Sequence, residues 1–207
     1  MFLDVFDRNP FGTNCWLLAA DGSGEAVVVD PGFEPGVLRG MLDAAGKMPA
    51  AVLLTHAHGD HAEAAGDFAG DDVPVYIHPA DAVAFTDPDA WNPGFPNPVT
   101  PAKDLRTFED GERLQFGGFE IEVLHTPGHT PGHCCFRVGG DVLVFSGDLV
   151  FAGSIGRSDF LNSDPAAMHT SLRRFLELPD DLRTLPGHGP ETTVGRERAT
   201  NPFLVNL

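Results

Sequence analysis

Residues 53–68 read LLTHAHGDHAEAAGDF. The segment AVLLT (51–55) just before the first histidine is an apolar run with the composition of a buried strand. The six positions from His56 to His61 then hold three of the nine histidines in the chain, with Asp60 among them. At these residue frequencies a chance H-x-H-x-D-H arises on the order of once in a thousand such chains. The cluster therefore asks for a chemical reason, and the end of a buried strand is where functional side chains sit on a rigid scaffold. His56 and His58 are one residue apart, so extended backbone points both rings the same way. Asp60 and His61 fall where an Ala-rich segment, DHAEAAGDFAG (60–70), predicts a short helix, so they can point elsewhere. This spacing suits two adjacent metal ions better than one.

Outward from the cluster, strand and helix signals alternate. Upstream, DVFD (4–7), NCWLLAA (14–20) and EAVVVD (25–30) read as strands, with DGSG (21–24) as the hairpin turn between the last two. PGVLRGMLDAAG (35–46) has helical spacing at Val37, Leu38, Met41 and Leu42, and Gly46 suits its C-terminus. Downstream, VPVYIH (73–78), ERLQF (112–116), FEIEVLHT (119–126), CCFRV (134–138) and DVLVFSGD (141–148) are strand-like. NSDPAAMHTSLRRFLEL (162–178) is the clearest helix, with Asp164 as N-cap, Pro165 at its first position, and Met168, Leu172, Phe175 and Leu176 on one face. LRTLPGHG (182–189) is a last strand ending in a glycine loop. Residues 86–101, with Trp91 and Phe95, are proline-dense and read as a long irregular loop, either a surface excursion or a pocket wall. The order predicts a layered α/β chain, a sheet sandwich with helices outside, in one domain over 1–207.

Composition narrows the function. The chain is 42% hydrophobic and 21% charged, as expected of a globular protein, and no run approaches a membrane helix. The N-terminus lacks the basic start and apolar core of a signal peptide, which gives a cytoplasmic expectation. A net charge of −17 argues against nucleic acid and anionic membranes as partners. Three cysteines without framework spacing argue against a disulfide-built fold. Cys134 and Cys135, adjacent in a strand, are expected on opposite faces as small buried hydrophobes.

Further candidate ligands follow the cluster. HTPGHTPGHCC (125–135) carries His125, His129 and His133 at intervals of four, but its prolines and glycines exclude a helix, and spacing alone does not choose among the three. Asp148 ends the strand in FSGD, and His188 ends another in LPGHG. Imidazole and carboxylate together are donors for zinc and related divalent ions.

THAHGDH (55–61), TPGHTPG (126–132), SGD (146–148) and PGHG (186–189), in this order, resemble the metallo-β-lactamase superfamily. With VVDPG (28–32) and GRERATNPF (195–203), most of the chain is similar to its small glyoxalase II-like hydrolases. The resemblance implies an αββα sandwich of two mixed sheets flanked by helices, with two divalent metal ions at one edge: zinc first, iron or manganese otherwise. It implies His56, His58 and His129 on one metal, Asp60, His61 and His188 on the other, and Asp148 bridging. Both aspartates are the candidate catalytic carboxylates, and His78, His125, His133 and His169 are left as structural histidines. Glyoxalase II proper carries a C-terminal helical domain for which 207 residues leave no room, so the thiol carrier need not be glutathione. GSIGRSDF (153–160) resembles a GRTDF loop shared by these hydrolases and by persulfide dioxygenases, and Arg157 in it is the candidate for a substrate carboxylate. Asp30 is expected behind the metal ligands or in a turn.

Two metals roughly 3.5–4 Å apart can lower the pKa of a water from ~15.7 to near 7, which supplies hydroxide without a side-chain nucleophile. The chain has no G-x-S-x-G elbow that would suggest otherwise. The expectation is a dinuclear hydrolase of small-molecule acyl-thiol substrates of the S-2-hydroxyacyl type. The alternatives are a mononuclear iron persulfide dioxygenase using His56, His129 and Asp148, and a lactone hydrolase on the same centre.

Overall fold

A computed structural model describes the chain except for residues 71, 92–98 and 141, and except for the side chains of 89 and 90. The first half runs β1 (Phe2–Phe6), β2 (Cys15–Ala19), β3 (Glu25–Val29), α1 (Pro35–Ala44), β4 (Met48–Leu53), α2 (Gly59–Ala62), α3 (Ala65–Ala69), β5 (Val75–Ile77), α4 (Val83–Thr86), α5 (Pro88–Trp91) and β6 (Leu105–Thr107). The second runs β7 (Arg113–Phe116), β8 (Phe119–His125), β9 (Cys134–Val138), β10 (Leu143–Gly147), β11 (Val150–Phe151), β12 (Ser154–Ile155), α6 (Pro165–Phe175), β13 (Arg183–Pro186), β14 (Thr192–Thr193) and α7 (Val194–Thr200).

Each half builds one six-stranded mixed sheet. The first has the order β1-β2-β3-β4-β5-β6, antiparallel through β3 and parallel from β3 to β6. The change of direction follows from the connections. A tight turn over residues 20–24 joins β2 to β3, whereas α1 carries the chain back so that β4 lies parallel to β3. The second sheet has the order β14-β13-β10-β9-β8-β7, and only β10 and β13 pair in parallel, with α6 between them in sequence.

Alternation along the central strands divides the apolar side chains into three layers. Leu17, Ala26, Val28 and Val52 point outward onto Leu38 and Leu42 of α1 and Phe68 of α3. Their neighbours Leu18, Val27, Val29, Ala51 and Leu53 point inward and meet Ile121, Val123, Phe136, Phe145 and Leu185 of the second sheet. The outer face of that sheet, with Leu124, Cys135 and Val144, is covered by Met168, Leu172 and Phe175 of α6. The layers are helix, sheet, sheet, helix, as expected. Strands buried on both faces read as continuous apolar runs, which is how EAVVV and AVLL read. Cys134 and Cys135 fall in different layers, on opposite faces of β9. All three cysteines are free and buried.

Two expectations need correction. The helix predicted from Asp60 to Gly70 is two short helices, broken at Ala64 (φ −93°, ψ 7°), whose N–H donates to Gly32 O at 3.2 Å rather than continuing the helical ladder. The stretch 86–101 is not irregular throughout: Pro88 opens a helical turn, and Trp91 at its end is buried in the outer layer of the first sheet. Phe95 lies outside the described residues. Among the described residues, no helix is long and apolar enough to cross a membrane.

Both sheets bring their parallel strands to the same edge. β3 and β4 of one sheet and β10 and β13 of the other end there, in loops that begin at Asp30, Leu54, Asp148 and Gly187. Cys134 N donates to Thr55 O (2.8 Å), and Thr13 forms an isolated bridge with His188, so the two sheets are tied together at this edge. Open α/β sheets place their sites at such carboxyl ends of strands.

Candidate metal centre

The chain leaves β4 at Leu53, and His58, in extended conformation (φ −66°, ψ 146°), precedes the first turn of α2. His61 N and Ala62 N both donate to His58 O at 3.0 Å, so the turn closes at once and carries Asp60 and His61 away from the line of His56 and His58. The rings of His56 and His58 meet edge to face at 4.8 Å, and each meets His129 from the β8–β9 loop, at 4.8 and 4.5 Å.

Two groups of donors result. The ligating atoms of His56, His58 and His129 lie within 4.8 Å of one another, and so do those of Asp60, His61 and His188. A third group, His56, His61 and Asp148, overlaps both. His61 Nε2 is 3.3 Å from His188 Nε2, 3.5 Å from Asp60 Oδ2 and 3.4 Å from Asp148 Oδ1. His188 Nε2 is 3.2 Å from Asp60 Oδ2, and His129 Nε2 is 3.5 Å from Asp148 Oδ2. Donors held 2.0–2.1 Å from a tetrahedral zinc ion stand roughly 3.3–3.4 Å apart. These spacings are therefore those of ligands around a cation. The buried His56 Nε2, His129 Nε2 and Asp148 Oδ1 have no hydrogen-bond partner, although such atoms are costly to leave unmatched. The residues present fit a pair of divalent ions.

Hydrogen bonds behind the donors fix which ring nitrogen faces the centre. Asp30 is buried and can only accept. Its Oδ2 lies 3.0 Å from His61 Nδ1, so Nδ1 carries the proton and Nε2 points inward. The same oxygen accepts from Thr55 Oγ1 (2.7 Å), and Oδ1 accepts from Thr55 N (2.7 Å). With its own proton committed to Asp30, Thr55 Oγ1 accepts from His56 Nδ1 at 3.0 Å. One carboxylate thus orients two histidines, directly and through a hydroxyl. His129 Nδ1 donates to the carbonyl of Arg157 (2.7 Å). Thr13 Oγ1 donates to Asp60 Oδ2 (3.0 Å). Asn14 Nδ2 and Trp16 Nε1 donate to Pro186 O at 3.0 and 3.1 Å, which pins the loop that carries His188. Gly187 in that loop is obligatory: a Cβ there would collide with Asp148 Oδ1 and approach His61 Cε1 to 2.7 Å.

Burial and charge oppose one another across the donors. Burial works against the charge on Asp148, but His61, His129 and His188 hold its carboxyl far below the usual range. Burial also opposes the charge on Asp60, and His61 and His188 outweigh it. Burial lowers the basicity of His61, yet Asp60, Asp148 and Asp30 raise it well above normal. His58 goes the other way: burial and then the charge of His129 push its pKa down to about 3, leaving a neutral imidazole with a free lone pair.

All seven expected metal ligands come together at this edge. His133, expected to be structural, is buried, bonded to Thr126 Oγ1 through Nδ1 (2.9 Å), and accepts the Asp148 N–H through Nε2 (3.0 Å). His78 and His125 stack on each other away from the centre, with ring centroids 4.0 Å apart, and His169 is exposed on α6. Arg157 is exposed and its guanidinium is paired to both oxygens of Asp159 (2.8 and 3.1 Å), above the ring of Phe160. That ring packs edge-on against His58 and His129 (5.3 and 5.8 Å), so Arg157 sits at the mouth of the centre with its charge already partnered. Sequence reading missed Thr13 and Thr55. Thr55 stood inside the motif, but nothing near Thr13 in sequence announces a partner 47 residues away.

A family model described as the metallo-beta-lactamase superfamily matches residues 8–188. The Haemophilus influenzae protein named hydroxyacylglutathione hydrolase GloC is 35% identical, over 99% of this chain and 98% of its own length. Among solved structures, TTHA1623 in a di-iron-bound form is 42% identical with a TM-score of 0.80, covering 99% of this chain and 100% of that one. The BLEG-1 B3 metallo-beta-lactamase is 36% identical with a TM-score of 0.87, covering 98% and 99%.

Proposed function

The chain belongs to the metallo-beta-lactamase superfamily, and on that premise we propose that it is a dinuclear metal-dependent hydrolase of small-molecule thioesters, of the S-2-hydroxyacyl-thiol kind. The observation that carries this reading is the pair of donor trios side by side, with Asp148 facing both. His56, His58 and His129 would hold one ion and Asp60, His61 and His188 the other, with Asp148 within reach of both trios. A mononuclear dioxygenase would leave the second trio without a purpose. The thioester class is supported by the hydroxyacylglutathione hydrolase relative, which is similar over its whole length. Zinc suits the nitrogen-rich donor set, and the di-iron-bound neighbour makes iron the specific rival. The chain works as one domain, in the cytoplasm, and its −17 charge keeps nucleic acid and anionic membranes away.

When bound, the two ions supply an acidified water and an electrophile for the substrate carbonyl. The protein residues do the rest. Asp30, Thr55 and the Arg157 carbonyl hold three ligand rings in a single tautomer, so nothing reorganises during the reaction. Asp148, with Oδ1 near His61 and Oδ2 near both His129 and His188, is placed to accept a proton at the junction of the two trios, and Asp60 fixes the second trio. Phe160 walls the mouth and Arg157 meets a substrate carboxylate by exchanging it for Asp159.

The test is turnover by metal-loaded protein of S-lactoylglutathione and other acyl-thiol esters, read as thiol release. A lactone, a chromogenic cephalosporin and a thiol persulfide with an oxygen electrode belong in the same panel, the cephalosporin because of the B3 metallo-beta-lactamase likeness. Metal-dependent thioester cleavage faster than any other activity is expected. No thioester cleavage at high enzyme concentration, or oxygen uptake alone, would overturn the reading.

A further inference from the structure

Asp30 serves His61 and His56, but another buried carboxylate serves the loops of the first trio. Asp81 lies between β5 and α4 and has no exposed surface. It is not among the grouped metal donors. Its Oδ2 accepts from the N–H of Ala57 (3.1 Å), the residue between His56 and His58. The same oxygen accepts from Thr130 Oγ1 (2.7 Å), next to His129. Its Oδ1 accepts from Gly132 N at 2.6 Å, in the same loop. One side chain therefore ties the strand end that carries two of the trio to the loop, from the other sheet, that carries the third. The approach is close: a Cβ on Gly132 would come within 2.6 Å of Asp81 Oδ1, so the loop accepts no other residue at that point without moving.

We propose that Asp81 is a positioning residue for the first metal subsite, fixing the separation between the His56–His58 pair and His129 without touching either ion. The inference rests on the reading of the centre as dinuclear. Three donors from two loops converge on a short, rigid side chain. An amide in its place keeps one acceptor but offers N–H to the Ala57 N–H. Thr130 can rotate its hydroxyl to adapt, whereas Ala57 cannot. The 56–58 segment then loses its side-chain tie to the His129 loop.

The experiment compares wild type and Asp81→Asn by metal titration with cobalt(II) and by zinc competition with a chelator. Partners behind metal ligands are typically worth ~10–100-fold in affinity. Asp81→Asn should fill the second subsite as wild type does, weaken the first by that factor, and alter the visible cobalt spectrum of the first. In the His188→Ala background, in which only the first trio is complete, Asp81→Asn should take binding from one ion towards none. If Asp81→Asn does not fold, Thr130→Val removes one of the three bonds and should weaken the first subsite by a smaller factor. Two ions bound by Asp81→Asn with wild-type affinities and an unchanged cobalt spectrum would overturn the proposal, whatever the melting temperature does. Absence of a metal pair in the wild type itself would instead defeat the dinuclear reading.

Discussion

Asp30 and His61 are joined by a 3.0 Å hydrogen bond in which both partners are out of solvent. Asp30 holds this position at φ 54°, in the left-handed region that aspartate and asparagine tolerate better than other side chains. Its two oxygens satisfy His61 Nδ1 and both donors of Thr55, its N–H and its hydroxyl. Asp30→Asn keeps the backbone tolerance but offers an N–H where an acceptor is needed. The expected result is a folded protein with second-subsite affinity down ~10–100-fold, measured by chelator competition. An unchanged affinity would show that the bond does not orient His61.

The His188 ring meets Phe151 edge to face at 5.7 Å, and its Nε2 faces Asp60, His61 and Asp148. His188→Ala should leave His56, His58 and His129 intact and give one ion per chain. If both ions share the chemistry, losing one costs several kcal/mol, at least about a hundredfold in kcat. Elemental analysis beside steady-state kinetics checks both halves of this expectation. Two ions per chain in the variant would contradict the assignment.

Gly187→Ala places a methyl group against the Asp148 carboxylate and the His61 ring. The backbone of this loop is held by Asn14 N, which donates to Gly187 O (2.7 Å), and by Gly187 N, which donates to Gly147 O (2.8 Å), so it has little freedom to retreat. The variant should bind metal far more weakly than wild type while its core stays intact. Isothermal titration with zinc and near-ultraviolet circular dichroism separate the two effects.

Burial pushes the Cys135 thiol up to about 12, and burial likewise raises Cys15 and Cys134, with Asp30 and Cys135 adding to it respectively. A thiol whose folded pKa is raised leaves stability intact below its unfolded value near 8.5 and costs stability as the pH rises from there towards 12. The native chain should therefore leave all three thiols unreactive towards Ellman reagent at pH 8, react at all three in denaturant, and lose stability on the alkaline side. A rapidly reacting thiol in the native state would place that cysteine outside the core.

The cluster at 56–61 was legible because it closes an apolar strand, and Asp148 and His188 because each ends another; His129 was separated from His125 and His133 by the family resemblance alone. The layered order was legible because continuous apolar runs in 25–29 and 51–54 mark strands covered on both faces. What escaped depends on distance or on competition. Asp81 and Thr13 act across 24–51 and 47 residues of sequence, and neither sits in a pattern. The break at Ala64 arises because its N–H is drawn to Gly32 O, a tertiary contact that overrides the helical preference of an Ala-rich segment. The helical turn at 88–91 follows from Pro88 at its first position, where proline starts a helix rather than ending one.

The number of divalent ions per chain, measured by elemental analysis on gently purified protein and again after titration of metal-free protein with zinc, tests the dinuclear centre most directly. Two ions per chain are expected, falling to one in His188→Ala and, with His56, His58 and His129 left, not to zero. A wild-type chain that saturates at one ion, with Asp60, His61 and His188 indifferent to it, would contradict the dinuclear hydrolase.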